Sequence, residues 1–149
     1  MFYLFFMKSK FIFFAACVAY IGALFVPAIV IQANPELNSV IGENWYGYDL
    51  LVGGWFGILV GQFAWYANIL LVVGFIKIYI GNYISGMKWF VSAFLLGLQT
   101  LAFDSYPRGE GPFYDVVDHF GSGFYFWELS FLLFFIYAWV RLGDKKSAK

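Results

Sequence analysis

The stretch Leu50–Ile76, LLVGGWFGILVGQFAWYANILLVVGFI, carries no charged residue over 27 positions. About 20 mostly apolar residues suffice to cross roughly 30 Å of hydrocarbon. The run therefore reads as one membrane helix with length to spare for tilt. On that helix Gly53, Gly57 and Gly61 recur every fourth residue, and Ala64 and Asn68 extend the same face. In lipid, close packing and polar contacts drive helix association, and small residues let two backbones approach. The strip is expected to pack helices, either inside the monomer or against a partner.

Three further apolar runs flank it. Phe11–Ile31 is free of charge for 21 residues. Between Lys88 and Asp104 there are 15 residues, and the run reaches spanning length if it starts near Ile84 with Lys88 snorkelling to the interface. The last run, Gly121–Val140, is interrupted by Glu128. The composition agrees: 62% of the 149 residues are hydrophobic and 12% charged, against roughly half and a quarter in soluble domains. The expected architecture is all-α: a polytopic membrane protein forming a single domain, an antiparallel four-helix bundle with spans at 11–31, 50–76, 84–103 and 121–140. Pro27 is expected to bend the outer end of the first span.

Lys8 and Lys10 ahead of an apolar run also suit a signal peptide, but a signal core is about 7–15 residues and this one is longer, so a retained helix is favoured. Cys17 is expected as a buried small residue. Of the nine basic residues, Lys8, Lys10, Lys77, Lys88, Arg141, Lys145, Lys146 and Lys149 fall in the tails and the middle loop. Only Arg108 falls in the loops 32–49 and 104–120, which hold Glu36, Glu43, Asp49, Asp104, Glu110, Asp115 and Asp118. The positive-inside rule then places both termini in the cytoplasm. Trp45, Tyr46, Tyr48, Tyr106 and Tyr114 form the expected outer aromatic belt, and Tyr79, Tyr83, Trp89, Tyr137 and Trp139 the inner one.

Polar residues at membrane depth are the candidates for function. Gln62, Asn68, Ser92, Gln99, Thr100 and Glu128 lie inside the expected spans. An ionised carboxyl there is costly, so Glu128 should face the bundle interior, stay protonated or find a partner. It either binds a proton or ligand, or it rests as a neutral acid hydrogen-bonded to Gln62 or Gln99. Asp115, Asp118 and His119 have the spacing of ligands on one helical turn, yet no further His or Cys supports them, and no metal is expected. Gly121-Ser122-Gly123 is expected as the turn into the last span, with Ser122 a cap.

The inventory excludes several membrane chemistries. One Cys cannot serve a thiol oxidoreductase, and one His cannot supply an H-E-x-x-H zinc site or a bis-histidine haem. There is no G-x-S-x-G motif and no phosphate-cradling Gly-rich loop. Balanced charge leaves no field for nucleic acid. No enzyme activity and no cofactor are expected.

Gly54-Trp55-Phe56-Gly57, Gly61-Gln62-Phe63-Ala64-Trp65-Tyr66-Ala67-Asn68 and Gly121-Ser122-Gly123-Phe124-Tyr125-Phe126-Trp127 resemble runs of a group of small bacterial four-span inner-membrane proteins without an assigned activity. The resemblance implies a bacterial inner-membrane location and four spans, and transfers no catalytic residue. The small multidrug transporters differ: their membrane glutamate lies in the first helix, and their dual topology needs weak charge bias. Two functions follow as expectations. One is a non-enzymatic membrane protein that packs against a membrane partner or itself, as an accessory subunit or immunity-type protein. The other is a small transporter or proton-linked carrier using Glu128 with Gln62 and Gln99.

Overall fold

In the computed structural model, residues 2–32, 43–107 and 114–147 are described, with side chains from Ser9 onward apart from residues 60, 106–115 and 146–147. The chain is mostly helical but not all-α. Helix α1 (Phe2–Phe25) leads into strand β1 (Pro27–Ile31), and β2 (Asn44–Tyr46) leads into α2 (Gly47–Gly53). A 3₁₀ segment (Gly54–Val60), a turn and a short 3₁₀ piece (Ala64–Tyr66) precede α3 (Ala67–Tyr79). Helix α4 (Tyr83–Gly97) continues as 3₁₀ helix through Ala102; β3 (Ser105–Pro107), β4 (Tyr114–Phe120) and α5 (Ser122–Ser147) follow.

The strands form one antiparallel sheet in the order β2-β1-β4-β3. The first expected span, 11–31, is thus helix only as far as Phe25 and ends in the five-residue strand β1. Proline lacks an N–H and crowds the preceding turn, so α1 stops at Phe25. Beyond Pro27, three β-branched residues in a row favour a strand. Ile29 pairs with Trp45 on one side and Phe120 on the other. Ile29 and Ile31 are buried and pack with Trp45, Leu50, Phe103, Val117 and Phe120 in a small core under the sheet. Both expected loops therefore contain strands.

Two helices are long and apolar enough to cross a membrane: Tyr83–Ala102, with 20 residues, and Ser122–Lys145, with 24. They match the expected spans at 84–103 and 121–140 within a residue or two at three of the four boundaries; α5 runs on past Val140. The other apolar helices with described side chains are shorter: Ser9–Phe25, Gly47–Leu59 and Ala64–Tyr79.

Helices α1, α5, α4 and α3 pack in that lateral order, with α1 on α5, α5 on α4 and α4 on α3. Their core holds Ala16, Ala67, Leu71, Phe90, Ala93, Phe131, Phe134 and Ala138. Phe75, Phe90 and Phe134 meet mostly edge to face, with ring centroids 4.6–5.8 Å apart. The glycines that admit close contact here are Gly74, against the Phe90 ring, and Gly86, against Ile78. At the sheet end Gly47, Gly121 and Gly123 lie against the backbone of residues 23–27, where a β-carbon would collide with main-chain atoms. Gly121 and Gly123 thus let α5 start beneath the end of α1. Ser122 is the first residue of α5 rather than its cap.

The bundle has two chemically different ends. Helices α1 and α4 finish at the sheet and α5 starts there. Glu43, Asp49, Asp104 and Asp118 lie at this end. Lys10, Lys77, Lys88, Arg141 and Lys145 lie toward the other, where Lys145 Nζ donates to Gly81 O at 3.3 Å and Arg141 and Lys145 sit about 6 Å from the Tyr83 ring centre. The charge bias along the sequence thus becomes a polarity of the molecule.

Candidate functional site

The second expected span, 50–76, is not one helix. It breaks at Gly61, whose φ of 79° is the left-handed value that glycine tolerates. The preceding seven-residue 3₁₀ run is long for that conformation. The chain then doubles back: Gln62 N donates to Gly57 O at 2.9 Å, and Trp65 Nε1 donates to Leu51 O at 2.8 Å. Gly47 abuts Ala23 and Leu24, while Gly61 and Phe63 are held by the end of α4. Residues 47–63 therefore form a hairpin that begins and ends at the sheet end of the bundle.

This breaks up the expected glycine strip. Gly53, Gly57 and Gly61 do not share a helical face with Ala64 and Asn68. A β-carbon on Gly57 would meet Gln62 of the same hairpin, whereas Gly53 and Gly61 face open space. Ala64 is buried, and Asn68 opens α3.

Two side chains close the break. Gln99 acts as a substitute peptide: its Oε1 accepts from Phe63 N at 2.8 Å, and its Nε2 donates to Gly61 O at 3.0 Å. Asn68 is a three-way node. Its Oδ1 accepts from Tyr20 Oη and Trp127 Nε1, each at 3.0 Å, and its Nδ2 donates to Trp65 O at 2.9 Å. It joins α1, α5 and the short 3₁₀ piece ahead of α3 at one point.

Around this node lies a cavity of about 90 Å³, room for roughly three waters. The hairpin walls it with Gly47, Leu51 and Gln62; the bundle contributes Tyr20, Thr100 and Phe124. Among the described residues no basic side chain lines it. A second void, an open and largely apolar groove of about 620 Å³, lies between α1 and α3 and has Phe134 of α5 in its floor. It shares Tyr20, Leu51, Trp65 and Asn68 with the cavity. Its upper edge is the Tyr20–Asn68 hydrogen bond, and its lower edge is the Phe13–Phe75 ring contact at 6.2 Å.

The expected polar cluster of Gln62, Gln99 and Glu128 does not assemble. Gln99 is committed to the hairpin backbone, and Gln62 belongs to the cavity wall. Glu128 is 5% exposed, and among the described residues neither carboxyl oxygen has a hydrogen-bond partner. It packs on α4 so closely that a β-carbon on Gly97 would overlap Glu128 Oε1. Thr100 and Phe124, one turn nearer the sheet on these helices, line the cavity. The carboxyl is therefore sealed one turn from the cavity.

The segment expected to offer ligands on a helical turn is strand β4. Asp118 Oδ2 and His119 Nδ1 lie 2.8 Å apart on its exposed surface, and the Asp115 side chain lies outside the described residues. Among the described residues no three His, Cys, Asp or Glu side chains converge. The sequence reading missed the roles of Tyr20, Trp65 and Trp127, whose signal was a polar tip on a large ring inside an apolar run. No protein-family model, no curated protein and no solved structure matches this chain.

Proposed function

We propose that this chain is a multi-span integral protein of a bacterial inner membrane, with four crossings built on α1, α3, α4 and α5. The sheet lies on the outer face and both termini in the cytoplasm. The separation of acidic and basic residues between the two ends of the bundle supports this orientation. The protein acts without chemistry, as an accessory subunit or immunity-type protein, by packing against a helix of another membrane protein.

The observation that carries this reading is the hairpin. Val52 and Leu59 are 76% and 80% exposed, and Trp55, Phe56 and Ile58 are exposed beside them. Gly53 and Gly61 flank these side chains with open space where a β-carbon would stand, so a partner backbone can come close. Contiguous apolar surface of this kind marks an interaction site or lipid contact. Co-purification from native membranes tests it. The parent should carry a stoichiometric membrane partner that Gly53→Leu or Leu59→Arg releases while the fold is kept. Recovery of the parent alone from mild detergent would contradict it.

The alternative, a proton-linked carrier, draws on one observation: Glu128 is buried without a partner, an arrangement that costs stability and is often kept for a function. Proteoliposome uptake that Glu128→Gln abolishes would favour that reading.

A further inference from the structure

The cavity beneath the hairpin has one wall that is held differently from the rest. On the bundle side Tyr20 and Trp127 are fixed by the Asn68 node, and Thr100 and Phe124 sit on packed helices. The other wall is the outgoing limb of the hairpin, α2 and the 3₁₀ run Gly54–Val60, which supplies Gly47, Leu50, Leu51 and Gly54. This limb is attached at its two ends by unequal means. At Gly47 its backbone lies against that of Ala23 and Leu24, and α2 packs on α1 and β2. The 3₁₀ run, in contrast, has its main contacts with α2 and with Ala64–Tyr66 alone. Past it the chain is held by the Gln99 bonds to Phe63 and Gly61, and beneath its first turns by the bond from Trp65 Nε1 to Leu51 O.

The Gln99 end is the one suited to release. Gly61 and Phe63 are exposed, and a β-carbon on Gly61 would meet nothing within 4 Å, so the turn has room to move. No residue of α2 is buried, so lifting the limb uncovers little that it now covers. Segments with few buried contacts open at low cost in free energy. Long 3₁₀ runs have poor hydrogen-bond geometry and often mark hinges. Opening breaks the two Gln99 bonds and the Trp65 bond. The bond from Gln62 N to Gly57 O lies within the hairpin and travels with it.

We propose that residues 47–60 form a strap that pivots at its Gly47 end and is latched at the other by Gln99, so that it opens and closes the cavity. Thr100, 6% exposed, lines the same cavity from the bundle side. With the strap latched its hydroxyl is shut in; with the strap released it is reached from the sheet end of the molecule. The strap is a property of this chain alone and does not rest on the partner proposed above.

The test uses the full chain in detergent, single cysteines in a Cys17→Ser background, and N-ethylmaleimide as the probe. Thr100→Cys reports the cavity wall, and Ser130→Cys, at a fully buried position of α5, reports unfolding of the bundle. Thr100→Cys should react slowly, and roughly tenfold faster or more once Gln99→Met removes both latch bonds. Ser130→Cys should stay unreactive over the same time in both backgrounds. A second variant acts without touching Gln99. A β-carbon on Gly54 would stand 3.5 Å from Cβ of Trp65, a separation that suits a disulfide. Gly54→Cys with Trp65→Cys, once oxidised, should pin the strap and slow labelling at residue 100 roughly tenfold or more, and reduction should release it. Peptide mass spectrometry locates the label. Thr100→Cys labelling that folded Gln99→Met leaves unchanged, that the closed disulfide leaves unchanged, or that rises only in step with Ser130→Cys would overturn the proposal. None of these measurements needs a partner or an orientation, so failure here leaves the membrane reading standing, and failure of that reading leaves the strap standing.

Discussion

Replacing Gln99 with Met keeps the length of the side chain and removes both hydrogen bonds that close the hairpin. Phe63 N–H and Gly61 C=O, now held at 2.8 and 3.0 Å, would lose their partner together. A main-chain group left unsatisfied away from water costs about 1–3 kcal/mol, so losing two costs about 2–6 kcal/mol if the hairpin is bathed by lipid. If water reaches these groups, it replaces the amide and the loss falls to about 1 kcal/mol or less. The size of the effect therefore reports what surrounds residues 61–63 as well as the bond itself. Reversible unfolding of parent and Gln99→Met in lipid bicelles, followed by helical circular dichroism, measures it. The account predicts a destabilisation of about 2–6 kcal/mol in bicelles, and a smaller one in a detergent that admits water. A variant within about 0.5 kcal/mol of the parent in bicelles, the range of an inconsequential surface change, would refute the role assigned to Gln99.

Asn68→Leu should cost about 3 kcal/mol in the same assay, because it strands the Tyr20 hydroxyl and the Trp127 indole at once; an unchanged midpoint would remove Asn68 from the centre of the site. Gly97→Ala should destabilise by about 1–3 kcal/mol through overlap with the Glu128 carboxyl, and Glu128→Ala should suppress that loss in a double-mutant cycle; strictly additive effects would separate the two residues. Glu128→Leu should raise stability by about 1–3 kcal/mol, since it removes a buried carboxyl that has no partner among the described residues; a lower melting temperature would mean that the carboxyl is hydrogen-bonded in the membrane.

Helices α4 and α5 were legible in the sequence because each carries a long apolar run between charges, Lys88 to Asp104 in one and Asp118 to Arg141 in the other, the second broken only by Glu128. The polarity of the bundle was legible for the same reason, since position along the chain maps onto its two ends. Hydropathy failed where two conformations share one composition. Pro27-Ala28-Ile29-Val30-Ile31 is as apolar as the helix before it, and only the proline and the β-branched run mark it as a strand. The hairpin failed for another reason. Its glycines fit a helical packing strip, and the residue that stabilises the alternative, Gln99, lies 36 positions from Phe63. A local pattern cannot register a partner that distant. Asn68 was assigned to a packing face and does join helices, but through hydrogen bonds to Tyr20 and Trp127 rather than through small size. Gly74, Gly86 and Gly97 went unread because each stands alone, and only the side chain opposite, Phe90, Ile78 or Glu128, explains it.

The central claim is that the sheet and the basic end of the bundle face opposite sides of a membrane. It is tested most directly by thiol labelling of two single-cysteine proteins in a Cys17→Ser background. Ser105→Cys marks the sheet end and Lys145→Cys the far end of α5; Ser105 is half-buried and Lys145 exposed. With a membrane-impermeant maleimide on intact cells, Ser105→Cys should label at once and Lys145→Cys only after lysis. Labelling of both positions from the same side, or recovery of the protein in the soluble fraction, would contradict the account.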